Sequence, residues 1–267
     1  MPLLTRRAFV LGLAALPVAA SPAGARPRPS IDRLIADAQA LPTTSTRMDF
    51  ISRALLGVRY RANTLIGGPR RREVLVVRDD AFDCVTFCEV ALAAALAHDR
   101  AGFETCLRRI RYAHGEVRWS ERNHYFADWS RRAVENGICR PVAMEPSVTI
   151  EKTVHWRNLG KRRVSLSAIP RATLMANQNL LASGDVIGFV SKRPNLDFHH
   201  TGLIAVGKGG EVMLRHASQR RGRVADDRLD RFVAANRVRY VTVLRVAENT
   251  EMTQRGFSDR GVLYSVR

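Results

Sequence analysis

Cysteine is scarce in this chain: four in 267 residues, Cys84, Cys88, Cys106 and Cys139. So few thiols over such a length exclude a disulfide-stapled mini-domain, and the chain is long enough to bury its own core. A single bridge, such as Cys106 to Cys139, stays open at this stage. Long apolar runs are missing too. The N-terminal run lasts only from Ala8 to about Ala20, short of the roughly 20 apolar residues that cross a bilayer as a helix. There is no internal repeat. Acidic residues are in deficit, 25 against 43 Lys and Arg, for a net charge of +18. No recognisable nucleic-acid motif accompanies that charge, which argues against a nucleic-acid partner.

What is present begins with an arginine pair. Thr5-Arg6-Arg7-Ala8-Phe9-Val10-Leu11 leads into the apolar run, and Ala23-Gly24-Ala25 supplies a small-x-small cleavage site. Residues 1–25 therefore read as a signal peptide, of the twin-arginine type or an ordinary secretory signal with two arginines. Cleavage is expected after Ala25, with Ala20 as the other site. The expected location is periplasmic or secreted. The twin-arginine route exports folded proteins, so a free thiol would arrive intact. Removing residues 1–25 lowers the charge only to +16. For an exported protein this favours an anionic wall or membrane surface, unless it reflects an arginine-rich proteome.

Residues 26–44 read as a linker and an N-terminal helix, with Ile31, Leu34, Ile35 and Ala38 on one face and Ser30 as N-cap. A second helix is expected from about Ser45 to Leu56, ending at Gly57. A strand is expected at Glu73–Arg78. Cys84 to Ala97 is alanine-rich and apolar nearly all round, the pattern of a buried helix. Helices also fit Phe103–Arg111 and Tyr125–Glu135. Strands fit Thr149–Val154, Asp185–Val190, His200–Val206, Glu211–Ala217 and Arg239–Val246. Helices first and strands later argue for an α+β fold in one domain over residues 45–249, with residues 250–267 as a tail.

Cys84 falls in the first turn of the buried helix, after Asp83 as N-cap. A thiol there feels the positive end of the helix dipole, and the same N–H groups suit an oxyanion. Cys88, one turn deeper, reads as core. His200 opens a short apolar strand, and Gly207-Lys208-Gly209-Gly210 forms a hairpin turn into the strand that carries His216. A turn centred on Lys208 places 200 opposite 216, a base beside an orienting partner. Asp197-Phe198-His199-His200 also permits a metal-ligand reading. It lacks a further ligand at zinc-site spacing, so no metal and no cofactor is expected.

These residues carry a resemblance. Phe82-Asp83-Cys84-Val85-Thr86-Phe87, Gly184-Asp185-Val186-Ile187-Gly188-Phe189, His200-Thr201-Gly202-Leu203-Ile204 and His216-Ala217-Ser218 resemble the motifs of NlpC-type cell-wall cysteine hydrolases. The closer resemblance is to the N-acetylmuramoyl-L-alanine amidase-like family, through Leu56-Gly57-Val58-Arg59-Tyr60 with Thr64-Leu65, the cysteine motif, and Asn123-His124-Tyr125-Phe126-Ala127-Asp128-Trp129. It covers roughly residues 45–247. Asn63 stands where that family tends to have glycine; asparagine also tolerates a left-handed backbone.

The resemblance implies a papain-like α+β fold, with the nucleophile helix packed on a twisted antiparallel sheet. It implies Cys84 as nucleophile, His200 as general base, His216 as its orienting residue and Tyr60 as an oxyanion donor. His124 and Trp129 are read either as lining the substrate groove or as core. The implied substrate is peptidoglycan or its muropeptides, cut at the N-acetylmuramoyl-L-alanine amide or at the γ-D-glutamyl-diamino acid bond. The rivals are a non-catalytic wall-binding module and a zinc amidase using His199, His200 and His216.

Overall fold

The computed structural model describes residues 29–156 and 159–248. The signal segment 1–25 and the tail 250–267 lie outside the described residues. Five helices occupy the first half of the described chain. Helix α1 (Ile31–Ala38) is capped by Ser30, whose hydroxyl accepts from the Arg33 N–H. Helix α2 (Thr44–Ala54) opens on a reciprocal Thr43–Thr46 capping box, and Gly57, at φ +83°, turns the chain after it. Helices α3 (Cys84–Leu96) and α4 (Arg100–Arg111) follow, and then α5 (Phe126–Glu135). Every residue of α3 from Thr86 to Leu96 is buried, which explains its mostly apolar composition; the one charge, Glu89, is paired with Arg111 at 2.8 Å.

The strands are β1 (Arg59–Tyr60), β2 (Ile66–Gly68), β3 (Arg71–Val74), β4 (Ala81–Phe82), β5 (Cys139–Pro141), β6 (Val148–Trp156), β7 (Gly160–Pro170), β8 (Val186–Val190), β9 (Phe198–Val206), β10 (Val212–Ser218), β11 (Arg223–Arg228) and β12 (Tyr240–Val246). Helix α6 (Arg171–Ala176) follows β7, and α7 (Leu229–Ala235) follows β11. One large sheet runs β4-β1-β11-β10-β9-β8-β12-β7-β6, with β5 on β12. Its pairings are antiparallel except β1 with β4. Strands β2 and β3 form a separate hairpin.

The architecture is thus α+β, with a large, mostly antiparallel sheet. Alternation along its central strands feeds two cores. Val186, Leu203, Ala217 and Val224 face the cluster built with α1 to α5. Ile187, Ile204 and Leu214 face Leu174 of α6 and Leu229 and Val233 of α7. Helix α1, expected to flank the domain, contributes Ile31, Leu34, Ile35 and Ala38 to the first core.

Several expectations are corrected. Cys106 and Cys139 form no bridge; all four cysteines are free. The strand expected at Glu73–Arg78 ends at Val74. Strand β7 went unread because Lys161, Arg162 and Arg163 face solvent and mask its alternation. The β9–β10 hairpin pairs Val206 with Val212 and Leu203 with Arg215. Its turn centres on Gly209 rather than Lys208, two residues out of the expected register. Asn63 does adopt the left-handed conformation, at φ 56°.

Candidate active site

The N-terminus of α3 fixes Cys84. The Asp83 carboxylate accepts from the N–H groups of Val85 (3.1 Å) and Thr86 (2.8 Å), and the Asp83 N–H donates to the Thr86 hydroxyl at 3.0 Å. This double cap sets the first turn rigidly and places Cys84 at its first helical position. Short parallel pairing of Arg59 with Ala81 and Tyr60 with Phe82 brings Tyr60 alongside. Burial raises the Tyr60 pKa, and the nearby Cys84 and Asp83 add to it. Its hydroxyl therefore stays a donor at neutral pH.

Helix α3 packs across β9 and β10, which carry the imidazoles. His200 Nε2 lies 2.6 Å from His216 Nδ1, and His216 Nε2 lies 3.1 Å from Asp227 Oδ2. Asp227, on β11, was not singled out by the sequence. Strand β11 reads Arg-Val-Ala-Asp-Asp-Arg, and two adjacent acids look like a turn. They are tolerated in a strand because Arg215 holds Asp226 in two bonds of 2.9 and 3.0 Å, while His216 and Arg221 hold Asp227.

Two features of β9 let the histidines meet despite the corrected register. His200 pairs with Phe189 and Phe198 with Val190, so His199 is an extra residue in a bulge. A bulge re-aims side chains, and His199 and His200 line the same cavity. The second feature is Gly202. A Cβ there would lie 2.9 Å from the His216 Cβ and 2.7 Å from Leu214 Cδ1, so only glycine leaves His216 its place. Phe189 and Phe232 pack on the His200 ring at 6.1 and 5.5 Å between centroids.

The carboxylate sets the proton order. Asp227 only accepts, so His216 carries its proton on Nε2 and offers the Nδ1 lone pair. His200 must then donate from Nε2, which leaves a lone pair on Nδ1 for a neighbouring proton. Burial would raise Asp227, but bonds and charge from Arg221 and His216 hold it below the usual carboxylate range. Burial lowers His216, with Asp227 opposing. Burial, helped by His216 and His199, lowers His200 to about 3.

Burial also pushes the Cys84 thiol up to about 12, and the Asp83 charge adds to this. The N–H groups of Thr201, Cys84 and Val85 act in the opposite direction without overcoming it. The helix-dipole preference for thiolate is therefore outweighed at rest, because desolvation of a whole charge exceeds the pull of a partial one. The resting pair is thiol and neutral imidazole.

Cys84, His199 and His200 line two cavities. One is a groove of about 840 Å³ that also reaches Tyr60, His216 and Asp227. The other, about 180 Å³, is bounded by Val85, His124, Tyr125 and Phe126. His124 thus lines the site, tied through Nε2 to the Trp119 carbonyl at 2.7 Å. Trp129 does not. It is 1% exposed and stacked on Phe126 at 5.1 Å, so its substrate-groove reading is replaced by a core role. Asp197 is likewise engaged, accepting from the Ala127 N–H at 2.8 Å near the start of α5. Among the described residues no three His, Cys, Asp or Glu side chains converge as a metal site. A third groove of about 510 Å³, between α5, β7 and β12, contains neither cysteine nor histidine.

A thiol and two linked imidazoles lining one groove, on an α+β scaffold, form the kind of site a hydrolase presents. The chain belongs to the AmiA-like family, described as N-acetylmuramoyl-L-alanine amidase-like, whose model matches residues 50–242. Among solved structures it is similar to an N-acetylmuramoyl-L-alanine amidase from Bacteroides uniformis, with 25% identity and a TM-score of 0.67 over 76% of this chain and 99% of that one. The fold is also that of the protein LPG0564 from Legionella pneumophila, with 21% identity and a TM-score of 0.71 over 82% of this chain and 94% of that one. No curated protein matches significantly. Family and fold together point to a cell-wall hydrolase.

Proposed function

We propose that this protein is an exported cysteine amidase of papain-like, NlpC-type design that hydrolyses the N-acetylmuramoyl-L-alanine amide of peptidoglycan. The observation that carries the reading is the hydrogen-bonded line from Asp227 through His216 to His200, in a groove whose wall also carries Cys84. In this mechanism the Cys84 proton passes to His200 Nδ1 as the sulfur attacks the amide carbonyl. The α3 N-terminus and the Tyr60 hydroxyl hold the oxyanion. The protonated His200 then gives its proton to the leaving amine, and a thioester remains on Cys84. Water, deprotonated by His200, releases the acid and restores the thiol. Export, by the twin-arginine route, is part of the proposal and rests on residues 1–25.

The test is product analysis. Mature protein incubated with defined muropeptides is expected to release free stem peptide, read by mass spectrometry. Cleavage inside the stem at the γ-D-glutamyl bond would keep the mechanism and move the bond. Intact fragments of every type would overturn the reading in favour of a wall-binding module.

A further inference from the structure

The large groove beside Cys84 carries positive charge that the proton relay leaves unused. Arg220, Arg221, Arg228 and Arg231 line it together with Asp226 and Asp227. Both acids are committed. Arg215, from outside the groove, neutralises Asp226, and His216 and Arg221 occupy Asp227. Arg220 stands 4.0 Å from Asp227 with its side chain 81% exposed. Arg228 holds Asp230 at 2.9 Å on the surface. The Arg231 guanidinium is in no salt bridge among the described residues, although its backbone N–H donates to Asp230 and its charge acts on that acid. The small cavity that shares Cys84 has no lysine or arginine in its lining, and its one acid, Asp197, accepts from the Ala127 N–H. Cationic side chains therefore gather on the β11–α7 side of the thiol and are absent from the cavity beside α5.

Resting on the amidase reading, we propose that the groove holds an acidic peptide, the carboxylate-bearing leaving part of the substrate, on Arg220 and Arg231. Guanidinium groups match carboxylates in geometry and charge. A groove of about 840 Å³ lies in the size range of sites that enclose a small ligand. The two arginines approach from opposite ends of β11, Arg220 from the turn before it and Arg231 from the helix after it.

The test uses the full-length mature chain as Cys84→Ala, which binds without turnover. The probe is the stem tripeptide L-Ala-γ-D-Glu-diaminopimelate, titrated by calorimetry, with the same tripeptide amidated at its carboxyl groups as control. The acidic tripeptide is expected to bind, and to lose about tenfold in affinity when Arg220→Ala and Arg231→Ala are combined, the loss expected for two exposed ion pairs. Lysine at both positions should restore part of it, and raised salt should mimic the alanine pair. The amidated control should bind weakly and ignore the arginines. Equal losses for both peptides, or none for either, would overturn the groove assignment. Arginine-dependent binding alongside no cleavage of wall fragments by wild type would sustain the groove and sink the amidase reading. Cleavage by wild type with KM unchanged in the arginine pair would do the reverse.

Discussion

At the scale of single residues, Asp227 decides which nitrogen of His200 carries the proton and which the lone pair. An Asp227→Asn side chain can turn its amide N–H toward His216 Nε2, which then accepts, and the proton order reverses along the pair. His200 would present N–H instead of a lone pair. We expect kcat for stem-peptide release to fall by about 10²-fold with KM little altered, measured against Asp227→Glu, which keeps the acceptor. An unchanged kcat would remove Asp227 from the account. The thiol makes a second prediction. With Cys84 pushed to about 12 and His200 to about 3, alkylation of Cys84 in resting protein should be slow at pH 7 and accelerate steadily toward pH 10. Fast alkylation, level from pH 5 upward, would reveal a resting thiolate–imidazolium pair instead. The sequence showed Cys84, His200 and His216 because each sits in a short motif. Asp227 was hidden because its fitness for a strand depends on Arg221 and His216, both distant from it in any local pattern.

At the scale of elements, the hairpin β9–β10 is where the sequence was least informative. Its strands were legible from a short apolar run and a glycine-rich turn, and its register was not. Shifting the turn centre from Lys208 to Gly209 moves every pairing by two residues while leaving each side chain on the same face. The histidines therefore meet diagonally across Gly202 rather than face to face. Gly202→Ala is the sharpest probe of that geometry. Its Cβ would press on His216, Leu214 and the Arg215 carbonyl. The expected cost is about 1–3 kcal/mol of stability, seen as a lowered urea midpoint, with a further fall in activity at temperatures where the variant is fully folded. An alanine variant with wild-type stability and rate would contradict the contact.

At the scale of the whole molecule, a sheet covered on both faces buries His216 and half-buries His200 in the groove wall, and that desolvation has a pH signature. His200 has a folded pKa of about 3 against an ordinary value of 6.5, so below pH 6.5 the unfolded chain takes up a proton that the folded chain refuses. Stability from this site is complete above pH 6.5 and is lost as pH falls toward 3, by up to about 1.4 kcal/mol per pH unit for one proton. Burial lowers His216 as well, which acts in the same direction. Relative to wild type, His200→Gln should gain stability between pH 7 and pH 4, read from urea midpoints. A constant difference would contradict the burial argument. The α+β class was legible from the order of helices and strands. The covering of the second sheet face by α6 and α7 was not, because these helices are too short for periodicity to stand out.

All three scales depend on the sulfur of Cys84. The most direct measurement is the rate at which folded Cys84→Ala releases stem peptide from a defined muropeptide, beside wild type under the same conditions. The account predicts release by wild type and none above background by the variant, whose fold and tripeptide binding should be intact. Release at a comparable rate by Cys84→Ala would mean that the chemistry resides elsewhere in the protein.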